Sequence, residues 1–140
     1  MISKLTISTH ATPDRGDLSV MSLPGPEWAG VRTVPFQVRR MFWITRMPQL
    51  ARRGQHAHRE GHQFMICPTG GIQVHSESAD GKQVVMLQGP EHGLYVPPMH
   101  WLDIRNVSPK TSLVVLASNE YQESDYIRDH DEFLQLIRPV

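Results

Sequence analysis

The chain has 140 residues, with 14 basic and 14 acidic side chains, eight histidines, 11 prolines and one cysteine. That length makes one domain, residues 1–140, able to bury about two-thirds of its unfolded surface without cross-links. The balanced charge leaves no electrostatic footprint for nucleic acid or an anionic membrane, so an anionic ligand has to be met by local arginines. Lone Cys67 excludes an intramolecular disulfide and fits a reducing compartment. No apolar run reaches transmembrane length and no basic-then-apolar leader is seen, so the expected location is the cytoplasm.

In chain order, Leu5-Thr6-Ile7-Ser8 alternates and reads as a short edge strand, one that could pair with a second copy of the chain. Thr12 to Leu18 is turn chemistry, and Pro24-Gly25-Pro26 breaks the chain again before Pro35. From Gln37 to Thr45 the alternation puts Val38, Arg40, Phe42 and Ile44 on one face and Gln37, Arg39, Met41 and Trp43 on the other. Arg40 therefore lies on an apolar face. A guanidinium there needs an anion, supplied either by an internal carboxylate or by a ligand.

Short strands follow over His62–Cys67, Ile72–Glu77, Gln83–Gln88, Leu94–Val96, Trp101–Val107 and Ser112–Ser118. Turn residues separate them, Asp80-Gly81 carrying a clear hairpin signal. Leu113 to Leu116 is apolar on both faces and belongs inside a sheet. Asp129 to Ile137 has helical spacing in Phe133, Leu134 and Ile137. Many short strands with turns every eight to twelve residues predict an all-β sandwich or closed roll with a short C-terminal helix.

The chemistry concentrates in Arg53-Gly54-Gln55-His56-Ala57-His58, running on to Gln63. On a strand, His56 and His58 point the same way and Ala57 points opposite, so two imidazoles share one pocket. A group that titrates near neutrality suits either proton transfer or metal binding. For metal, the spacing of His56, His58, Gln63 and Gly70 is that of a cupin first motif with an amide in place of its carboxylate, and His100 is a candidate fourth ligand. A neutral amide is a poor ligand for a divalent ion, which favours the metal-free reading. For proton transfer, His56 serves as base beside a ketone while His58 and an arginine stabilise the oxyanion or pass the proton on. Arginines at 15, 40 and 53 suit a phosphate-bearing substrate.

The chain resembles the WxcM-like cupins that act as dTDP-4-keto-6-deoxyhexose 3,4-ketoisomerases. The resemblance rests on Asp14-Arg15-Gly16-Asp17-Leu18, Val34 to Arg40, Arg53-Gly54-Gln55-His56-Ala57-His58-Arg59 with Gln63, Gly93 to Pro98 with Trp101, and Asp125-Tyr126-Ile127-Arg128-Asp129. It implies a cupin-type jelly roll, a homodimer with exchanged amino-terminal strands, no cofactor and a thymidine-diphosphate-linked keto-deoxysugar as substrate. It also implies His56 and His58 as catalytic residues and Arg15 against the sugar and diphosphate; Arg40, Arg53, Gln63, Tyr95 and Trp101 are the further candidate substrate-binding residues. Phe42 stands where the family often has tyrosine, and the stretch Ser19 to Arg32 is longer and richer in proline. Trp101 either stacks on the thymine or sugar ring or belongs to the core, where buried aromatics more often lie. The tail around Tyr126 and Arg128 is expected to serve packing or a dimer interface. Two alternatives remain: a metal-dependent cupin enzyme using His56, His58, Gln63 and His100, and a non-catalytic sugar-nucleotide-binding module.

Overall fold

The computed structural model of the chain describes residues 1–21 and 34–138; the Pro24-Gly25-Pro26 break and most of Ser19 to Arg32 lie outside them. The described strands are β1 (Ser3–Thr6), β2 (Ser8–Thr12), β3 (Gly16–Val20), β4 (Arg40–Met47), β5 (Arg52–His58), β6 (Gln63–Thr69), β7 (Gly71–Ser78), β8 (Gly81–Gln88), β9 (His92–Val96), β10 (Trp101–Asn106), β11 (Thr111–Ala117) and β12 (Tyr126–Ile127), followed by helix α1 (His130–Ile137). They form one five-stranded sheet of order β1-β9-β6-β11-β4, a second of order β12-β5-β10-β7-β8, and a separate β2-β3 hairpin. The pairings are antiparallel. This is the expected cupin-type jelly-roll sandwich with a short C-terminal helix.

Period-two alternation builds the layers. Met65, Leu94, Leu113 and Val115 of the first sheet meet Ile72, Val74, Leu87, Leu102 and Ile104 of the second in one core. The opposite parity of the first sheet, Phe64 and Leu116, packs under Ile7, Val34 and Phe36 of the amino-terminal segment. On the outside of the second sheet, Ala57 meets Ile127 of β12 and Phe133 of α1. Phe133 is fully buried, worth about 2–3 kcal/mol of apolar transfer, and it ties the tail to β5. Helix α1 begins where expected because Asp129 caps it, its Oδ1 accepting the Glu132 N–H at 3.1 Å.

Three expectations shift. The strand foreseen over Leu5 to Ser8 is two strands, β1 on the β9 edge and β2 in the hairpin. They part at Ile7, whose side chain turns into the outer cluster. The turn foreseen from Thr12 to Leu18 narrows to Pro13–Arg15, leaving Gly16–Val20 as a strand exposed along its whole length. The strand foreseen from Gln37 starts at Arg40, and Val38 packs outward with the amino-terminal cluster rather than sharing the inner face of Arg40. No helix among the described residues is long and apolar enough to cross a membrane.

Candidate active site

The histidine pair stands on β5, and an irregularity in that strand decides what joins it. Gly54 and Gln55 both have positive φ, 86° and 58°, and the pairing with β10 slips here, Leu102 opposing His56 while Ile104 opposes Arg53. The inserted residue is a β-bulge. Leu102 and Ile104 share one face of β10, so the bulge brings Arg53 to the same side as His56, which strict alternation would have put on opposite sides. Glycine is required at the bulge: a Cβ on Gly54 would lie 2.8 Å from the Leu102 carbonyl oxygen.

His56 and His58 face the same way, their rings meeting edge to face with centroids 5.1 Å apart. Nδ1 of His56 donates to the Gly54 carbonyl at 3.1 Å; a carbonyl only accepts, so Nε2 carries the lone pair. Burial, and then the neighbouring His58, lower the pKa of His56 to about 4. It is therefore a neutral imidazole at pH 7. Nδ1 of His58 lies 3.0 Å from Oδ2 of Asp125, both side chains being about nine-tenths buried. His58 also titrates below its ordinary value, burial outweighing the opposing pull of Asp125.

The sheets open beside His56 into a cavity of about 220 Å³ lined by Phe42, Ile44, Arg53, His56, Gln63, Tyr126 and Arg128, among others. A narrower recess beside it is lined by His58, Arg40, Gln63, Asp125 and Tyr126. Gln63 and Tyr126 line both, so the two imidazoles serve adjoining parts of one site. Arg40 points inward as its parity requires. Its Nε is buried without a hydrogen-bond partner among the described residues, and its guanidinium lies over Phe42 at 5.3 Å and Tyr121 at 5.8 Å. No ion pair to Arg40 forms among the described residues.

The structure does not bring every expected residue here. Tyr95 has outward parity on β9, between inward Leu94 and Val96; its hydroxyl bonds His62 Nδ1 at 2.7 Å and its ring stacks on that imidazole. Trp101 has outward parity on β10, next to inward Leu102, and packs against His130 and Phe133 of α1. Neither lines the cavity or the recess beside the histidines. Arg15 sits at the tip of the β2-β3 hairpin and lines neither part of the site.

The four-residue metal set lacks a carboxylate. No three His, Cys, Asp or Glu side chains among the described residues come together to hold a metal ion. Gln63 offers only an amide, and His100, whose Nδ1 lies 2.9 Å from the Pro98 carbonyl, lines neither part of the site that holds the pair. These residues do not fit a divalent-metal site. Cys67 is buried and its thiol is pushed up to about 12, which keeps it protonated and inert.

The tail, read from sequence as serving packing or a dimer interface, also lines the site. Tyr126 pairs with His58 and Ile127 with Ala57, so one residue faces the imidazoles and the next faces the helix. The Tyr126 ring lies 5.0 Å from that of His56 and 4.4 Å from that of His58. Arg128 lies over Tyr126 at 4.3 Å and is held by Glu123 at 2.6 and 3.0 Å. The signal was the alternation in Tyr126-Ile127-Arg128, too short to read as a strand by itself.

The family described as "FdtA: WxcM-like, C-terminal" matches residues 3–138. A TDP-4-oxo-6-deoxy-alpha-D-glucose-3,4-oxoisomerase from Aneurinibacillus thermoaerophilus is 33% identical over 109 residues, 78% of each chain. A 3,4-ketoisomerase from Helicobacter canadensis superposes with a TM-score of 0.84 at 29% identity, over 97% of this chain and 96% of that one. A histidine-to-asparagine variant of the 3,4-ketoisomerase QdtA from Thermoanaerobacterium thermosaccharolyticum, in complex with TDP-4-keto-6-deoxyglucose, superposes with a TM-score of 0.83 at 27% identity, over 97% and 93%. The match from Ser3 to Arg138, with the jelly roll and its paired histidines, places this chain in the WxcM-like, C-terminal (FdtA) family.

Proposed function

We infer that this protein is a sugar-nucleotide 3,4-ketoisomerase whose substrate is a thymidine-diphosphate-linked 4-keto-6-deoxyhexose. The carrying observation is the imidazole pair, each Nδ1 already bonded, so that two Nε2 atoms remain for adjoining parts of one cavity. His56 Nε2 takes the proton from C3. Its electron pair becomes the C3–C4 double bond of an enediolate and the C4 carbonyl oxygen takes the charge. The O3 proton passes to O4 through His58, His56 returns a proton to C4, and C3 is left as the ketone. Arg40, Arg53 and Arg128 supply the positive charge that meets an enediolate or a diphosphate. Tyr126 brings a phenol to the cavity wall that Phe42 also lines. Each step is a proton transfer, for which these side chains suffice.

The test is proton NMR of TDP-4-keto-6-deoxyglucose mixed with the protein, with and without a chelator. Appearance of the 3-keto sugar at equal rates in both supports the reading. A well-folded protein that leaves the sugar unchanged yet is stabilised by TDP would instead support a binding module. Activity lost on chelation and restored by metal would support a metal enzyme.

A homodimer with exchanged amino-terminal strands completes this reading. The β2-β3 hairpin pairs with neither large sheet, and Leu18 and Val20 on it are 56% and 45% exposed. The outer face of edge strand β4 exposes Met41 and Trp43 by 55% and 61%. Unpartnered apolar strands of this kind call for a covering chain, and exchange would bring Arg15 to the second copy's site. Sedimentation at twice the 16.0 kDa of one chain is the result expected, and a monomer would contradict it. The lone buried cysteine and a nucleotide-linked substrate support a cytoplasmic location.

A further inference from the structure

Asp125 is not among the groups that sequence reading assigned to the chemistry, yet it is the best-anchored carboxylate near it. It ends a 3-10 turn, Glu123–Asp125, where the chain returns to the histidine strand. Its Oδ1 accepts the Glu60 N–H at 2.8 Å, its Oδ2 faces Nδ1 of His58 at 3.0 Å, and its own carbonyl accepts the Arg59 N–H at 2.8 Å. Gly61 lies over this arrangement so closely that a Cβ there would come within 2.7 Å of Oδ2 and 3.5 Å of Nδ1. Backbone therefore covers the hydrogen bond and keeps water from competing for it. On the other side of the ring, Nε2 of His58 is buried with no partner among the described residues, in the recess shared with Arg40, Gln63 and Tyr126.

We propose that Asp125 is a positioning residue for the isomerisation, fixing His58 with its proton on Nδ1 so that Nε2 can accept the O3 proton and return it to O4. This rests on the ketoisomerase reading above. A carboxylate only accepts hydrogen bonds, so while it is ionised the facing nitrogen must hold the hydrogen and the far one the lone pair. When Nε2 takes the O3 proton the ring becomes a cation, and Asp125 is the anion already beside it. Handing the proton to O4 restores the neutral ring, so His58 ends each turnover as it began. Nδ1 of His56 is tied to a neutral carbonyl and not to a carboxylate, which separates the two roles: His56 works on carbon and His58 on oxygen.

Replacing Asp125 by Asn tests this with little change of shape. The Glu60 N–H still requires an acceptor, so the amide oxygen turns to it and the NH2 group turns to His58. Two donors cannot face one another, so the ring must shift its hydrogen to Nε2. Asp125→Asn is expected to lower kcat about a hundredfold, the scale of one lost acid–base group, with KM for TDP-4-keto-6-deoxyglucose unchanged within about threefold. Long-range 1H–15N spectra should show His58 as the Nδ1–H form in the parent and the Nε2–H form in the variant. Asp125→Glu, which restores the carboxylate, should recover at least about tenfold of the loss.

Full kcat in a folded Asp125→Asn protein, or a parent His58 found in the Nε2–H form, would overturn the proposal. The parent spectrum decides the tautomer even if the variant fails to fold. Absence of conversion by the parent would instead count against the ketoisomerase reading, and that result is separable because the tautomer is read without turnover.

Discussion

Nδ1 of His56 lies 3.1 Å from the carbonyl oxygen of Gly54, two residues back on the same strand. One residue thus performs two tasks. The positive φ of Gly54 makes the bulge that brings Arg53 round to the histidine face, and its carbonyl holds the ring hydrogen on Nδ1, leaving Nε2 as the base. Strand geometry and proton inventory are set at the same place.

Gly54→Ala should therefore damage both. With φ at 86° and the new Cβ 2.8 Å from the Leu102 carbonyl oxygen, the backbone must move, at about 1–3 kcal/mol in denaturant unfolding. Activity should fall at least about tenfold through the displaced His56. Unchanged stability and kcat would mean that the bulge is not what sets the ring.

The pH dependence follows from His56. Its folded-state pKa is near 4 against an ordinary 6.5, so the base remains unprotonated well below neutrality. kcat/KM should hold level from about pH 7 to 5 and drop as pH falls through about 4. Stability moves over a related window: between the two values the unfolded chain binds the proton and the folded chain does not. The contribution present above 6.5 is lost as pH falls toward 4. The lowered pKa of His58 acts in the same direction. A kcat/KM profile that already halves at pH 6.5 would contradict the buried, neutral base.

Arg40→Met separates ligand-facing from structural arginine. A half-buried guanidinium whose Nε has no partner among the described residues stabilises nothing by itself, so the unfolding free energy should hold or rise slightly. KM for the sugar nucleotide should increase about tenfold or more, the loss of a charge-assisted hydrogen bond. A large drop in stability at constant KM would return Arg40 to the scaffold.

Trp101 gives the opposite pattern. Because it packs on His130 and Phe133 outside the second sheet, Trp101→Leu should lower stability by about 1–3 kcal/mol and leave KM unchanged. A raised KM at unaltered stability would reinstate it as a substrate contact.

The sandwich was legible because its strands alternate cleanly, and the same alternation placed His56, His58 and inward Arg40. Alternation also held the information that Tyr95 and Trp101 face outward, since Leu94 and Leu102 beside them are core. The position of Asp125, Tyr126 and Arg128 beside the histidines was not legible, for a different reason. They reach the histidines through a two-residue strand pairing more than sixty positions away in sequence, and no local pattern announces a contact of that range. Arg53 needed the bulge, which a single glycine in a strand hints at without fixing which face follows.

The most direct measurement is proton NMR of TDP-4-keto-6-deoxyglucose in heavy water with the parent protein and with His56→Asn. Transfer between C3 and C4 through His56 predicts loss of the C3 proton signal and a 3-keto product deuterated at C4 in the parent. The folded variant should give neither conversion nor C3 exchange, a reduction of at least about a thousandfold. Conversion at comparable rates in the variant would remove His56 as the base and contradict the account.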